Sequence, residues 1–388
     1  LSLLRGSYNE WESSFVIGIS TVHIVYLYKD YWPVMGGIES HLRTLAEGVA
    51  AAGHRVSVVV CQPAAGAIAP TELHNGVAIY RVPRHLDISS SAFSFALASI
   101  VRQLQPDVVH LQMPWPGGDL ALLGSDTPLV VTYQSDIVRQ HVLRYVYAPL
   151  LQHTLSRARA IVATSPQYRD SSPWLLRFVE KCVVIPLAIH APPYPDSDRI
   201  AYWQARFPNS CALWVGRMRY YKGLHTLMDA MRDTPAEMPL VLVGDGPLAG
   251  ELQHNARQYG IASRVHFVGS LSDEEVHALH RVARFFVFPS QVRAEAFGLS
   301  LLEAMTAGLP AITCEIGTAT SFVNQHMQTG IVVAPADASA LAHAMTLLWS
   351  DTALCHRYAE HASRWTAAHF RVTQMVADTI TLYQRILT

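Results

Sequence analysis

Short, largely apolar runs recur along this chain, separated for the most part by stretches with helical spacing, and this alternation restricts the fold more than any other feature. The first series comprises Val22 to Tyr28, Arg55 to Val60, Val77 to Val82, Asp107 to Leu111, Leu129 to Thr132, Ala160 to Ala163 and Cys182 to Ile185. The second comprises Cys211 to Val215, Leu240 to Val243, Val265 to Val268, Phe285 to Phe288 and Ala311 to Thr313. Runs of this kind suit parallel strands buried on both faces, and strands separated by helices imply βαβ units. The text between Pro186 and Pro208 is different: Ala191-Pro192-Pro193-Tyr194-Pro195-Asp196 has the composition of a linker. The predicted fold is α/β, with two Rossmann-like, doubly wound domains facing each other across a cleft, and ligands of such sheets bind at the carboxyl ends of the strands.

The length of 388 residues exceeds what one core organises, and an apolar content of 50% is enough to build two. The expected division is an extension over 1–21 that is poorly ordered and a poor signal peptide, an N-terminal domain over 22–186, and a C-terminal domain over 187–372. Twenty-nine basic and 30 acidic side chains leave no global field to attract nucleic acid, which is therefore not an expected partner. The five cysteines are odd in number, scattered and never spaced C-x-x-C, so they are expected as small buried residues of a reducing compartment. No apolar run approaches the roughly 20 residues of a membrane helix. The stretch from Ile137 to Arg159 carries Arg139, His141, Arg144, His153, Arg157 and Arg159 with almost no acids. It is either a solvated helix face or a surface for lipid head groups or acceptor phosphates, which allows peripheral membrane contact.

Two stretches of the second series carry chemistry. In Arg293-Ala294-Glu295-Ala296-Phe297-Gly298-Leu299-Ser300-Leu301-Leu302-Glu303, two carboxylates flank a predicted strand-to-helix turn. A helix starting near Gly298 presents free amides and the positive end of its dipole, a place for a phosphate, with Glu295 before those amides and Glu303 further along. In Gly216-Arg217-Met218-Arg219-Tyr220-Tyr221-Lys222-Gly223, Arg217 and Lys222 surround a loop that opens a helix. An arginine fork and a mobile ammonium meet the needs of a diphosphate leaving group. Taken singly, the two acids read as surface glutamates of an amphipathic helix and the two cations as surface charges; together in one domain, each after a strand, acids for hydroxyls beside cations for phosphate describe a nucleotide-sugar site.

Other motifs carry less. Gly36-Gly37 marks a helix entrance where backbone approaches an anion, or a plain tight turn. Gly244-Asp245-Gly246-Pro247 has the outline of a dinucleotide fingerprint, but no acid closes the next strand, so a structural turn is expected. Asp196-Ser197-Asp198 matches a short acidic metal motif but has no further ligand, and the histidines have no paired spacing. No metal or cofactor is expected.

Taken in order, Gly36-Gly37-Ile38-Glu39, Val215-Gly216-Arg217, Lys222-Gly223, Gly244-Asp245-Gly246-Pro247, Phe267-Val268-Gly269, Phe288-Pro289-Ser290, Glu295-Ala296-Phe297-Gly298, Glu303-Ala304-Met305 and Gly308-Leu309-Pro310 resemble the retaining glycosyltransferases of the GT-B fold, family 4. The resemblance runs from about Val22 to the C-terminus. It implies a hexosyltransferase that moves sugar, with retention and without a divalent metal, from a GDP- or UDP-sugar to a hydroxyl of a glycan or lipid-linked acceptor. It also implies that Arg217 and Lys222 bind the diphosphate, Glu295 the donor-sugar hydroxyls and Glu303 the ribose. Backbone at Phe297, Gly298, Leu299, Gly36 and Gly37 would contact sugar or phosphate, and Val268 would line the base pocket. The last helix, 373–388, would cross back to the first, acceptor-side domain, and the protein would work in the cytoplasm, with peripheral contact at the inner face of the cell membrane. The chain departs from the family's usual Thr-x-His at Thr132-Tyr133-Gln134, from His-x-His at His110-Leu111-Gln112, and from Gly-x-Asp at Ala188-Ile189-His190. Gln134 hydrogen-bonds a donor hydroxyl but carries no proton charge. The alternative expectation is therefore a catalytically weak or inactive relative that binds nucleotide-sugar as a partner or sensor.

Overall fold

A computed structural model describes residues 21–34, 36–63, 68–88, 91–136 and 141–388, with side chains of 141–145 set aside. The expected N-terminal extension therefore lies outside the described residues but for residue 21, as do Arg139 and the side chains of His141 and Arg144. The first sheet contains β1 (His23–Leu27), β2 (Arg55–Cys61), β3 (Thr71–His74), β4 (Val77–Val82), and a short separate hairpin of β5 (Leu86–Ile88) and β6 (Ser91–Phe93) lies beside it. It continues with β7 (Val108–Met113), β8 (Leu129–Tyr133), β9 (Ala160–Ala163) and β10 (Cys182–Val184), in the order β10-β9-β8-β7-β1-β2-β4-β3. All pairs are parallel except β3 with β4. That antiparallel edge strand is absent from the sequence reading, although the Asn75-Gly76 turn before β4 is in it. Both turn residues adopt positive φ, 48° and 80°, which suits a two-residue hairpin.

The second sheet is wholly parallel: β11 (Ala212–Val215), β12 (Leu240–Val243), β13 (Val265–Gly269), β14 (Phe285–Phe288), β15 (Ala311–Cys314) and β16 (Gly330–Val333), ordered β13-β12-β11-β14-β15-β16. The order reverses direction between β11 and β14, which opens a crevice at their carboxyl ends. Helices cover these sheets. Those that bear on the site are α1 (Gly37–Ala51), α2 (Pro166–Ser171), α3 (Ser197–Arg206), α4 (Leu224–Met231), α5 (Asp273–Val282), α6 (Leu299–Thr306), α7 (Thr352–His369) and α8 (Val372–Leu387).

The span from Pro186 to Pro208 is more than a linker, because α3 occupies its second half. Asp196 caps that helix by accepting from the Asp198 amide at 2.7 Å, so the acidic pair starts a helix. The three prolines before it hide the start in the sequence, whereas Trp203 and Phe207 bury against the second core and reveal the helix only in three dimensions. Trp203 Nε1 also donates to Glu275 of α5 at 2.6 Å.

Helix α8, at the end of the chain, packs against the first sheet. Met375, Val376, Leu382 and Tyr383 join the core around β1 and β7. Gly48 of α1 permits this approach, since a Cβ there would stand 2.5 Å from Val376 Cγ2. Beneath the contact lies a buried polar chain: Tyr383 Oη donates to Tyr26 Oη at 2.9 Å and pairs with His110 Nδ1 at 2.6 Å. With the Tyr383 proton committed to Tyr26, His110 carries its own proton on Nδ1, and its Nε2 accepts from Thr132 Oγ1 at 2.6 Å. Burial, with a smaller contribution from His41, holds the His110 pKa down at about 3, so the imidazole stays neutral. Tyr383→Phe leaves the ring in place but strips partners from two buried polar groups. It is expected to cost on the order of 1–3 kcal/mol, measured by urea unfolding.

Candidate active site

The loops that follow β11 and β14 meet at the sheet's reversal point. Tyr220 to Lys222 form one 3-10 turn, and Gly223 enters α4 at φ 67°. A side chain at Gly223 is impossible, because its Cβ would stand 1.9 Å from the Pro289 carbonyl oxygen. The Gln291 amide donates to the Tyr221 carbonyl at 3.0 Å, which ties the two loops further. This backbone contact brings Lys222 Nζ to Glu295 Oε2 at 2.5 Å, and Ser290 Oγ donates to the same oxygen at 3.1 Å. Both charged residues are only 8% exposed, so each is the other's principal compensation for lost hydration. The Lys222 ammonium also lies 4.8 Å above the Phe288 ring.

A cavity of about 410 Å³ opens against this pair. Lys222, Glu295 and the turn from Phe297 to Ser300 form one wall, while Gly37, Glu39 and Gln134 of the first domain form the other. Gly298 caps α6 at φ 88°, where a Cβ would meet Phe288 Cε1 at 2.8 Å. The first amides of α6, unpaired within the helix, therefore front the cavity. Across it, the Glu39 carboxylate folds back on Gly36, where any Cβ would collide with it. Burial raises the Glu39 pKa. Gln134 is buried and directed by Gln112, whose Oε1 accepts from Gln134 Nε2 at 3.0 Å. The opposite amide group, Gln112 Nε2, is buried without a partner.

The remaining motif residues lie outside the cavity lining. Arg217 is exposed in the loop after β11, and Val268 is half-buried in β13. Neither they, nor Gly36, nor Glu303 line the cavity. Glu303 sits half-buried on α6, and burial, assisted by Asp273, raises its pKa to about 7. Gly244 and Gly246 serve a turn: side chains there would strike backbone of Gly216 and Met218, so they fit the loop after β12 against that after β11.

The two domains are joined beside the cavity by a contact absent from the sequence reading. Arg293 donates to Asp136 Oδ2 through Nε at 3.1 Å and Nη2 at 2.9 Å. Its Nη1 donates to Ser171 Oγ of α2 and to the Gly317 carbonyl, each at 2.8 Å. Asp136 in turn accepts from Tyr133 Oη and Ser172 Oγ. Arg293 stands two residues before Glu295 and Asp136 two after Gln134, so one fork fixes the spacing of the opposed cavity walls. A lone arginine and a lone aspartate 157 positions apart give no sequence pattern.

Comparison with known proteins places the chain. The family model described as Glycosyltransferase Family 4 matches residues 35–191, and that described as Glycosyl transferases group 1 matches 208–365. O-antigen chain mannosyltransferase C of Escherichia coli is 37% identical over 372 residues, covering 94% of this chain and 99% of its own. D-rhamnosyltransferase WbpZ of Pseudomonas aeruginosa is 38% identical over 359 residues, covering 90% and 91%. Among solved structures, sucrose-phosphate synthase from Thermosynechococcus elongatus superposes with a TM-score of 0.77 at 22% identity, covering 94% of this chain and 99% of its own. Anabaena HepE in complex with UDP and glucose gives 0.75 at 19% identity, covering 94% and 100%. The chain belongs to the group 1 glycosyltransferases, with the two Rossmann-like domains of the GT-B fold. It is a hexosyltransferase of that group.

Two outcomes follow from this geometry. Arg293→Ala removes every bond of the interdomain fork. It is expected to lower stability by about 1–3 kcal/mol and to enlarge the radius of gyration in small-angle scattering. For Glu303 the folded pKa lies above the unfolded one, so the native state holds a proton that the unfolded chain releases. Its contribution to stability therefore falls as pH rises from the unfolded value toward about 7, and Glu303→Gln should flatten that slope in unfolding titrations.

Proposed function

We propose that the enzyme transfers a hexose, with retention and without a divalent metal, from a GDP- or UDP-sugar to a hydroxyl of a glycan or lipid-linked acceptor. The observation that carries this reading is the buried Lys222–Glu295 pair facing the open end of α6 across from Gly37. Lys222 uses one N–H on Glu295 and keeps others for a phosphate oxygen, and the α6 amides supply a second anion contact. Negative charge grows on the diphosphate as the sugar bond breaks, and donors fixed before the reaction stabilise it without reorganising. The reading gives Glu295 the donor-sugar hydroxyls, Gln134 a further hydroxyl, Gly36, Phe297, Gly298 and Leu299 backbone contacts, and Val268 the base. Glu303 takes the ribose, and Arg217, exposed and long, adds charge to the diphosphate. The acceptor hydroxyl attacks on the face the leaving phosphate occupied, with that phosphate taking its proton.

Two relatives with over 35% identity act, by their names, with mannose and with D-rhamnose, which is 6-deoxymannose. We therefore favour a donor sugar of manno configuration and, by the same likeness, an O-antigen-type glycan as acceptor. No helix among the described residues is long and apolar enough to cross a membrane. Thermal-shift screening against nucleoside diphosphates and nucleotide-sugars should identify the donor by a raised midpoint. Glu295→Ala is expected to lower turnover by about 10²- to 10³-fold in a transfer assay, and near-normal transfer would refute its role. Nucleotide binding with no transfer or hydrolysis by the pure protein would favour the sensor instead.

A further inference from the structure

The second sheet has a polar hollow at its other end. Ser210, Arg284 and Pro310 stand just before β11, β14 and β15, so they mark the amino edge of the parallel sheet, opposite the strand ends that carry Lys222 and Glu295. There, a cavity of about 310 Å³ is lined by Arg281, Arg284, His280, His356, Ser210 and Thr352 with small apolar neighbours. Among the described residues lining it, none is acidic. An adjoining cavity of about 590 Å³ shares Ser210, Arg281 and Arg284, and Glu237 is the acid on its wall.

Three features distinguish this hollow from an ordinary basic surface. His280 is 2% exposed and lines the cavity, yet neither of its ring nitrogens has a partner. A buried imidazole without hydrogen bonds is costly, and a ligand oxygen would relieve that cost. The arginines, moreover, are oriented by rings: Arg284 lies 4.4 Å from the Trp349 ring centre and Arg281 4.8 Å from that of Tyr194. Arg284 bonds the Trp349 carbonyl and Arg281 the Ala307 carbonyl, and a guanidinium has five donors, so each keeps several for another partner. Finally, the acid next to Thr352 is committed elsewhere, since Asp351 accepts from the Leu354 amide at 2.8 Å as the cap of α7.

We propose that this hollow is a second ligand site, distinct from the donor cavity, for a phosphorylated small molecule of sugar size. The phosphate would lie on Arg281 and Arg284, and hydroxyls would meet His280, His356, Ser210 and Thr352. Its volume falls in the range of small-ligand pockets, about 300–1,000 Å³. The site shares β14 and α6 with the donor cavity, since Arg284 leads into β14 and Gly308 follows the end of α6. The assignment does not depend on the transferase mechanism above.

The test is titration calorimetry of the full chain with inorganic phosphate and with a hexose phosphate. It is repeated on Arg281→Gln, on the double variant Arg281→Gln with Arg284→Gln, and on Lys222→Met with Glu295→Gln, which removes both charges of the donor cavity together. The donor-cavity variant should keep the binding, and Arg281→Gln should weaken it at least about tenfold. The arginine double variant should abolish it, with circular dichroism confirming the fold. Arg281 is exposed, so its single variant carries the test if the double variant fails to fold. The hexose phosphate should bind at least about tenfold more tightly than inorganic phosphate, because its hydroxyls gain partners. Equal affinity would overturn the sugar-phosphate assignment. Binding unchanged in the Arg281 variant, lost in the donor-cavity variant, or absent throughout would overturn the site.

Discussion

The candidate site depends on two charges that could not be buried singly. Lys222 and Glu295 come from loops after different strands, and each loses most of its hydration where it stands. Removing one partner of such a pair typically costs 3–5 kcal/mol, because the survivor remains buried and uncompensated. The pair forms because β11 and β14 are neighbours in the sheet and because Gly223 lets its loop touch the Pro289 carbonyl. Strand order thus supplies proximity, and one missing Cβ supplies the last ångströms.

The second constraint is the spacing of the walls. A cavity built half on each domain has a shape only when the domains are held, and the Arg293–Asp136 fork does this beside Glu295 and Gln134. It is local to the cavity, unlike the attachment of α8, which ties the end of the chain to the first sheet through apolar packing and the His110–Tyr383–Tyr26 chain. A small change in the fork would move Glu295 relative to Gln134, whereas a change under α8 would first be felt as stability.

Much of the fold was legible because parallel strands buried on both faces leave continuous apolar runs, and the expected runs coincide with strands in both sheets. Where the pattern was weak, so was the reading. The edge strand β3 alternates exposure and has no apolar run, β16 is short and begins with glycine, and α3 starts behind prolines. In the site, motif residues Lys222, Glu295, Gly37, Gln134 and Phe297 to Leu299 converge on one cavity, whereas Arg217, Glu303 and Val268 do not line it. Ser290 was within reach of the sequence, since it lies in the Phe288-Pro289-Ser290 motif, but its bond to Glu295 was not.

The sequence alone determined the architecture and the family, because apolar periodicity and glycines that must avoid backbone leave marks in the residue order. Tertiary structure alone decided which charges are partnered. Lys222 neutralises Glu295, Arg293 reaches Asp136, and His110, which stands where the family has His-x-His, is locked neutral beneath the last helix. The physical reason is that ion pairs and buried hydrogen bonds act over a few ångströms between residues far apart in the chain. Their partners are set by how the sheets and helices close, and no spacing in the sequence records that closure.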